Sequence, residues 1–105
     1  MALELALTEC EKSLSLSPGS APILDSRATV YLQLGRYKEA KTDFDRALAT
    51  MPALAPSLLG RAVARFHLGD VDGAKADLGA ARKLEKDIVE RYRILGIAVP
   101  PQLAS

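Results

Sequence analysis

The sequence predicts an all-α protein built as a stack of antiparallel helix pairs, and three observations point there. Ala and Leu occur 17 times each among 105 residues, aromatics make up only 5 %, and Trp is absent. That composition favours helix over sheet. Shifted by 34 residues against itself, the chain aligns eleven identities without a gap, among them Arg27 with Arg61, Gly35 with Gly69 and Asp43 with Asp77. Self-similarity at such a period marks a repeat architecture. Within each unit, apolar residues recur at spacings of three and four, the amphipathic helix period.

Taken in order, residues 2–16 carry the stripe Leu3, Leu7, Cys10 and Leu14. They align with the second half of a unit, so 1–20 reads as half a repeat with no first helix before it. The unit 21–54 begins with a helix over 22–34, where Pro22 suits the first turn because no amide donor is needed there. Gly35 suits the left-handed residue that ends a helix. A second helix over 37–50 presents Tyr37, Ala40, Phe44, Ala47 and Leu48 on one stripe and stops before Pro52. The unit 55–88 repeats this with helices over 56–68 and 71–85, and Asp70 is placed to cap the second. Residues 89–99 then supply one more first-type helix. Together with Ile88, Tyr92 and Leu95 are expected to cover the apolar face that a stacked array leaves at its end. Pro100 and Pro101 stop that helix, leaving 100–105 as a tail and about six helices in all. Glycines 60, 73 and 79 fall inside helices, where close helix contact is the expected reason for accepting their cost of up to about 1 kcal/mol each.

Ala28 and Ala40 are expected where the two helices of a unit cross, and Ala47 where that unit meets the next. Arg27 and Arg61 are followed sixteen residues on by Asp43 and Asp77. An antiparallel pair brings those positions near each other, which predicts two equivalent ion pairs, Arg27–Asp43 and Arg61–Asp77. The competing reading is an Arg pair that binds an anionic ligand.

Leu24, Ala28, Tyr31, Gly35, Tyr37, Ala40, Phe44, Ala47 and Pro52, in a 34-residue helix–turn–helix unit, resemble the tetratricopeptide repeat. Residues 55–88 match less fully. Leu58, Ala62, Gly69, Ala74 and Ala81 agree, Leu78 replaces an aromatic, and Arg65 and Lys86 stand where Tyr and Pro are usual. The Arg…Asp pattern is similar to that of bacterial arrays, and the half unit suggests a fragment of a longer protein. The resemblance implies a right-handed superhelix whose first helices line a concave face that holds peptides or partner helices. The facing residues it implies are Pro22, Asp25, Thr29, Leu32 and Gln33, then Pro56, Leu59, Val63, Phe66 and His67. The second set is mostly apolar, and an exposed apolar stripe commonly marks an interaction site. One subtype clamps a chaperone tail's terminal carboxylate with Lys and Asn; Asp25, Thr29, Leu59 and Val63 stand there instead, which disfavours that subtype. An apolar or amphipathic segment, docked as helix or strand, fits better. The function expected is therefore a non-catalytic scaffold or adaptor with a protein or peptide partner. The alternative is self-association, as a homodimer or array, through the exposed half unit.

Other functions find little support. Basic and acidic residues number 14 and 13, for a net charge of +1, without the basic excess of a nucleic-acid binder. No run approaches the ~20 apolar residues of a membrane span, and no signal peptide precedes the first helix. The compartment is left open. Cys10 and His67 are the only Cys and His, too few for a zinc site or an activated nucleophile with its base, so no metal or cofactor is expected. Cys10 occupies the slot of Phe44 and reads as a core residue. Glu39, Asp45, Asp72 and Glu85 read as solvated faces.

Overall fold

A computed structural model describes residues 2–94 and 97–104. Among the described residues there are seven helices and no strand: α1 (Ala2–Leu16), α2 (Ala21–Gln33), α3 (Tyr37–Thr50), α4 (Ala55–His67), α5 (Val71–Leu84), α6 (Ile88–Ile94) and α7 (Pro101–Ala104). Each packs on its chain neighbour from α1 to α5, and the first-type helices α2, α4 and α6 also meet side by side. The result is a helical solenoid.

The turns follow from their residues. Pro22 and Pro56 sit in the first turns of α2 and α4. Gly35 and Gly69 take φ of 75° and 91°, a region closed to most side chains. With glycine there, the Arg36 amide reaches the Tyr31 carbonyl and the Asp70 amide reaches the Arg65 carbonyl, each at 2.8 Å. These bonds satisfy carbonyls that the helix ends would otherwise leave open. The Asp70 side chain accepts from the Gly73 amide at 2.9 Å and caps α5.

Ala28, Ala40, Ala47, Ala62, Ala74 and Ala81 are completely buried. They allow the backbones to approach, and larger residues fill the layers between: Leu24, Phe44, Leu58, Leu59 and Leu78. The interior glycines divide into three cases. A Cβ on Gly60 would lie 2.1 Å from the Phe44 ring, so the α3–α4 contact requires glycine. A Cβ on Gly73 would meet the capping Asp70 carboxylate. A Cβ on Gly79 would meet nothing within 4 Å, so close helix contact does not explain that residue.

Charged contacts tie the pairs together. Arg27 donates from Nε and an Nη to the two Asp43 oxygens at 2.6 and 2.8 Å. Arg61 does the same to Asp77 at 2.8 and 2.9 Å. Arg61 also donates to Asp45 of the preceding unit at 3.0 Å, and Asp45 accepts from Lys41 at 2.9 Å. Burial raises the Asp45 carboxyl, but those two donors outweigh it and hold it below its ordinary value. Asp45 is thus a half-buried link between units rather than a solvated face. The units differ at one further place. Tyr31 lies beneath the Arg27 and Arg36 guanidinium groups, at 5.7 and 4.8 Å from its ring centre. Its counterpart Arg65 instead donates to Asp77 at 2.8 Å.

Two expectations at the chain ends are corrected. Cys10 is half-buried rather than core, since nothing packs on α1 from the side away from α2 among the described residues. The C-terminal helix is shorter than 89–99: it ends at Ile94, and residues 97–100 are not helical. Ile88 and Tyr92 are buried as end-covering residues, whereas Leu95 lies outside the described residues. The stretch 100–105 is not a plain tail. Pro101 opens α7, in the first-turn position where proline is tolerated, and Leu103 is 2 % exposed in the same core cluster as Leu78 and Ala81.

Gly60→Ala is expected to destabilise by about 3 kcal/mol, the upper end for overpacking. Gly79→Ala is expected to stabilise by up to about 1 kcal/mol. Urea unfolding of the two variants checks both signs; equal effects would contradict the packing described.

Candidate functional site

A cleft of about 450 Å³ lies along α2 and α4, bounded by Leu32 and Gln33 of α2, Val63 and His67 of α4, Tyr37 at the start of α3, Leu3 of α1, and Ile97 and Ala98 beyond α6. Four of the residues expected on the concave face, Leu32, Gln33, Val63 and His67, therefore converge on one cleft. Two turns bring them there. The Gly35 reversal sets the C-terminal end of α2 beside the N-terminus of α3, and the turn between α3 and α4 brings the C-terminal end of α4 back to the same place. Across that junction the Tyr37 and His67 rings stack, with centres 4.1 Å apart and planes within 10°. Phe66 meets His67 edge-on at 5.8 Å. Gln33 and His67 are exposed at the mouth, while Leu32 and Val63 are buried in its floor.

The open apolar stripe expected at Leu59, Val63 and Phe66 is corrected. Leu59 is completely buried, Val63 is nearly so, and Phe66 is half-buried. The chain beyond α6 contributes to this cover. Ile97 joins the cluster of Leu59 and Leu103, Phe66 packs against it, and Val99 packs against this cluster and the one holding Leu32 and Val63.

The other end of the face is polar and closed. Ser57 Oγ donates to Asp25 Oδ1 at 2.7 Å, linking α4 to α2. Thr29 Oγ1 donates to the Asp25 carbonyl at 2.9 Å. The Tyr92 hydroxyl donates to the Pro56 carbonyl at 2.7 Å and fastens α6 to the start of α4. Burial pushes the Asp25 carboxyl above its ordinary value, with the Ser57 bond offsetting part of the rise. Burial, and then the nearby Asp25 charge, push the Tyr92 hydroxyl up. Asp25 thus ties α2 to α4 and Thr29 is bonded back into its own helix, and neither lines the cleft.

A second depression of about 260 Å³ lies beside Arg27, Lys38, Asp43 and Arg46. Its most buried cation, Arg27, is already engaged by both Asp43 oxygens, which leaves the anion-binding reading of the Arg pair without a vacant guanidinium. Among the described residues no group of three His, Cys, Asp or Glu side chains could hold a metal ion. No helix there is long and apolar enough to cross a membrane. Sequence reasoning missed Tyr37, Leu3, Ile97 and Ala98 as cleft residues. The apolar run Ile97-Ala98-Val99 was the available signal, since no helical period explains it.

A sequence profile described as Tetratricopeptide repeat matches residues 19–94. No curated protein matches the sequence. Among solved structures, the chain is similar to the first such repeat domain of Spaghetti (RPAP3), solved bound to the HSP90 peptide SRMEEVD. The TM-score is 0.80 and the identity 23 %, over 99 % of this chain and 82 % of that one.

Asp25 predicts a pH effect with a defined sign. Its folded-state value lies above the ordinary 3.8. Between the two values the folded chain binds more protons than the unfolded one, so this group's contribution to stability falls as pH rises. Asp25→Asn keeps an acceptor for Ser57 and removes the titration. Its thermal stability relative to wild type is expected to rise as the pH is raised through and above the ordinary value of 3.8. A pH-independent difference would contradict the buried carboxyl.

Proposed function

The chain belongs to the tetratricopeptide repeat family, and from that premise we propose that it is a non-catalytic binding module, with a scaffold or adaptor role, whose concave face receives a peptide or partner segment. The observation that carries this reading is the convergence of Leu32, Gln33, Tyr37, Val63 and His67 from two units on one cleft. A buried apolar floor with a few polar groups at the rim is the usual form of a recognition site. The similar solved domain, which holds a peptide, supports the class of ligand.

The ligand chemistry proposed differs from that of the similar domain. Its peptide, SRMEEVD, is acidic, whereas no Lys or Arg borders this cleft. An acidic tail would meet no basic counter-charge there. An uncharged, mainly apolar segment suits the floor.

A second reading, self-association, rests on α1, where Leu5 and Leu16 are 62 % and 87 % exposed. Exposed apolar side chains of that kind can drive pairing between copies.

Peptides selected from a displayed library on the wild-type chain test the groove. Gln33→Arg and His67→Asp change exposed side chains, so the helical circular dichroism is expected to hold. Affinity for the selected peptides, read by fluorescence anisotropy, is expected to fall at least about tenfold, or 1.4 kcal/mol. Unchanged affinity in both variants would overturn the groove reading. A concentration-dependent dimer abolished by Leu5→Glu would favour self-association.

A further inference from the structure

The concave cleft already holds a stretch of this chain. Residues 97–100 are not helical, and the side chains of Ile97 and Val99 are set against the apolar floor. Ile97 and Ala98 form part of the same cleft as Leu32 and Val63. Val99 touches both the cluster of Leu59 and the cluster of Val63. Beyond them Leu103 is buried against α5, near Lys75, Leu78 and Arg82.

The attachment is largely through side chains. The Ile97 amide donates to the Tyr92 carbonyl at 3.0 Å and the Leu103 amide to the Pro100 carbonyl at 3.0 Å; both bonds lie within the C-terminal segment itself. Pro100 and Pro101 have no amide to donate. The stretch is therefore seated on the groove by apolar contact at Ile97 and Val99, the manner in which a bound peptide fills pockets with alternate side chains, and Leu103 anchors its far end on α5.

We infer that residues 97–103 are an intramolecular ligand of the concave groove, and that the partner it takes is an extended, uncharged segment with β-branched and small apolar residues, which binds by displacing them. The inference rests on the groove reading above and adds the chemistry of the occupant and a closed resting state. The groove then opens only when a partner outcompetes the tethered segment, whose high effective concentration weakens the apparent affinity of every competitor.

The probe is a labelled synthetic peptide with the sequence of residues 97–104, titrated into the full chain. Ile97→Asp combined with Val99→Asp places two charges in the tethered copy and should free the groove. The expected result is binding at least tenfold tighter than to wild type, lost again when Gln33→Arg is added. Equal binding to wild type and the double variant, or binding to neither, would overturn the inference. If library-selected peptides still lose affinity with Gln33→Arg in that case, the groove reading stands and only the tethered ligand falls. Hydrogen exchange on the wild-type chain gives a second readout that needs no variant. The Ile97 amide should exchange at least tenfold faster than the Val63 amide through local opening. Protection equal to that of Val63 would make residues 97–103 a fixed part of the core and overturn the inference.

Discussion

A guanidinium clasped by a carboxylate sixteen residues further on holds each helix pair, and the rest of the array depends on where that contact sits. The two carboxylates are almost fully buried, and each Arg side chain keeps about a fifth of its surface in water. A buried carboxylate without its partner is strongly unfavourable, so the pair acts as a condition on the fold more than as a source of net stability. Two parallel N–H···O bonds fix both the separation and the register of the helices. With that register set, Ala28 and Ala40 pack in one cluster, Ala62 and Ala74 in another, and the tip of the Phe44 ring comes up against Gly60. Asp45 carries the constraint across the unit boundary through Arg61.

A stack of helix pairs has two ends, and each leaves an apolar face with no next unit to cover it. At the C-terminal end the cover is made of unequal parts. The seven-residue α6 is too short to replace a whole first helix, and Tyr92 fixes its near end to the Pro56 carbonyl. The chain then continues over the concave side and finishes on α5 at Leu103. Covering the end and packing against the cleft floor thus fall to neighbouring parts of the chain, Ile88 and Tyr92 of α6 and then Ile97 and Val99. Leu59 is sealed in that cluster, while Gln33 and His67 stay exposed.

Whatever follows the 34-residue period was legible in the sequence. Helix bounds, glycine reversals, prolines in first turns and alanine crossings are set within a unit and recur in the next. What failed to be legible depended on neighbours from elsewhere in the chain. Asp45 looks like a surface residue paired with Lys41 on its own helix, and its second partner, Arg61, comes from the next unit. Leu59 sits at a groove position in its unit but is buried in a cluster with residues some forty positions later. Pro100 and Pro101 read as a stop, yet the same ring that ends one helix is well suited to begin another, and Pro101 does so. No hydrophobic period covers 97–103, and the short apolar run Ile97-Ala98-Val99 was the single signal of its packing. Gly79 has no physical account in either the sequence or the structure.

The most direct test of the ion-pair constraint is a double-mutant cycle on Arg27 and Asp43, because this pair shares its atoms with fewer neighbours than Arg61 and Asp77. Urea unfolding of Arg27→Met, Asp43→Asn and the double variant gives the coupling energy. A contact that sets the register of a helix pair should couple by about 2 kcal/mol or more, within the range for residues in one buried network. A coupling below about 0.5 kcal/mol, as for an exposed surface pair, would contradict it and leave the alanine crossings to set the geometry alone.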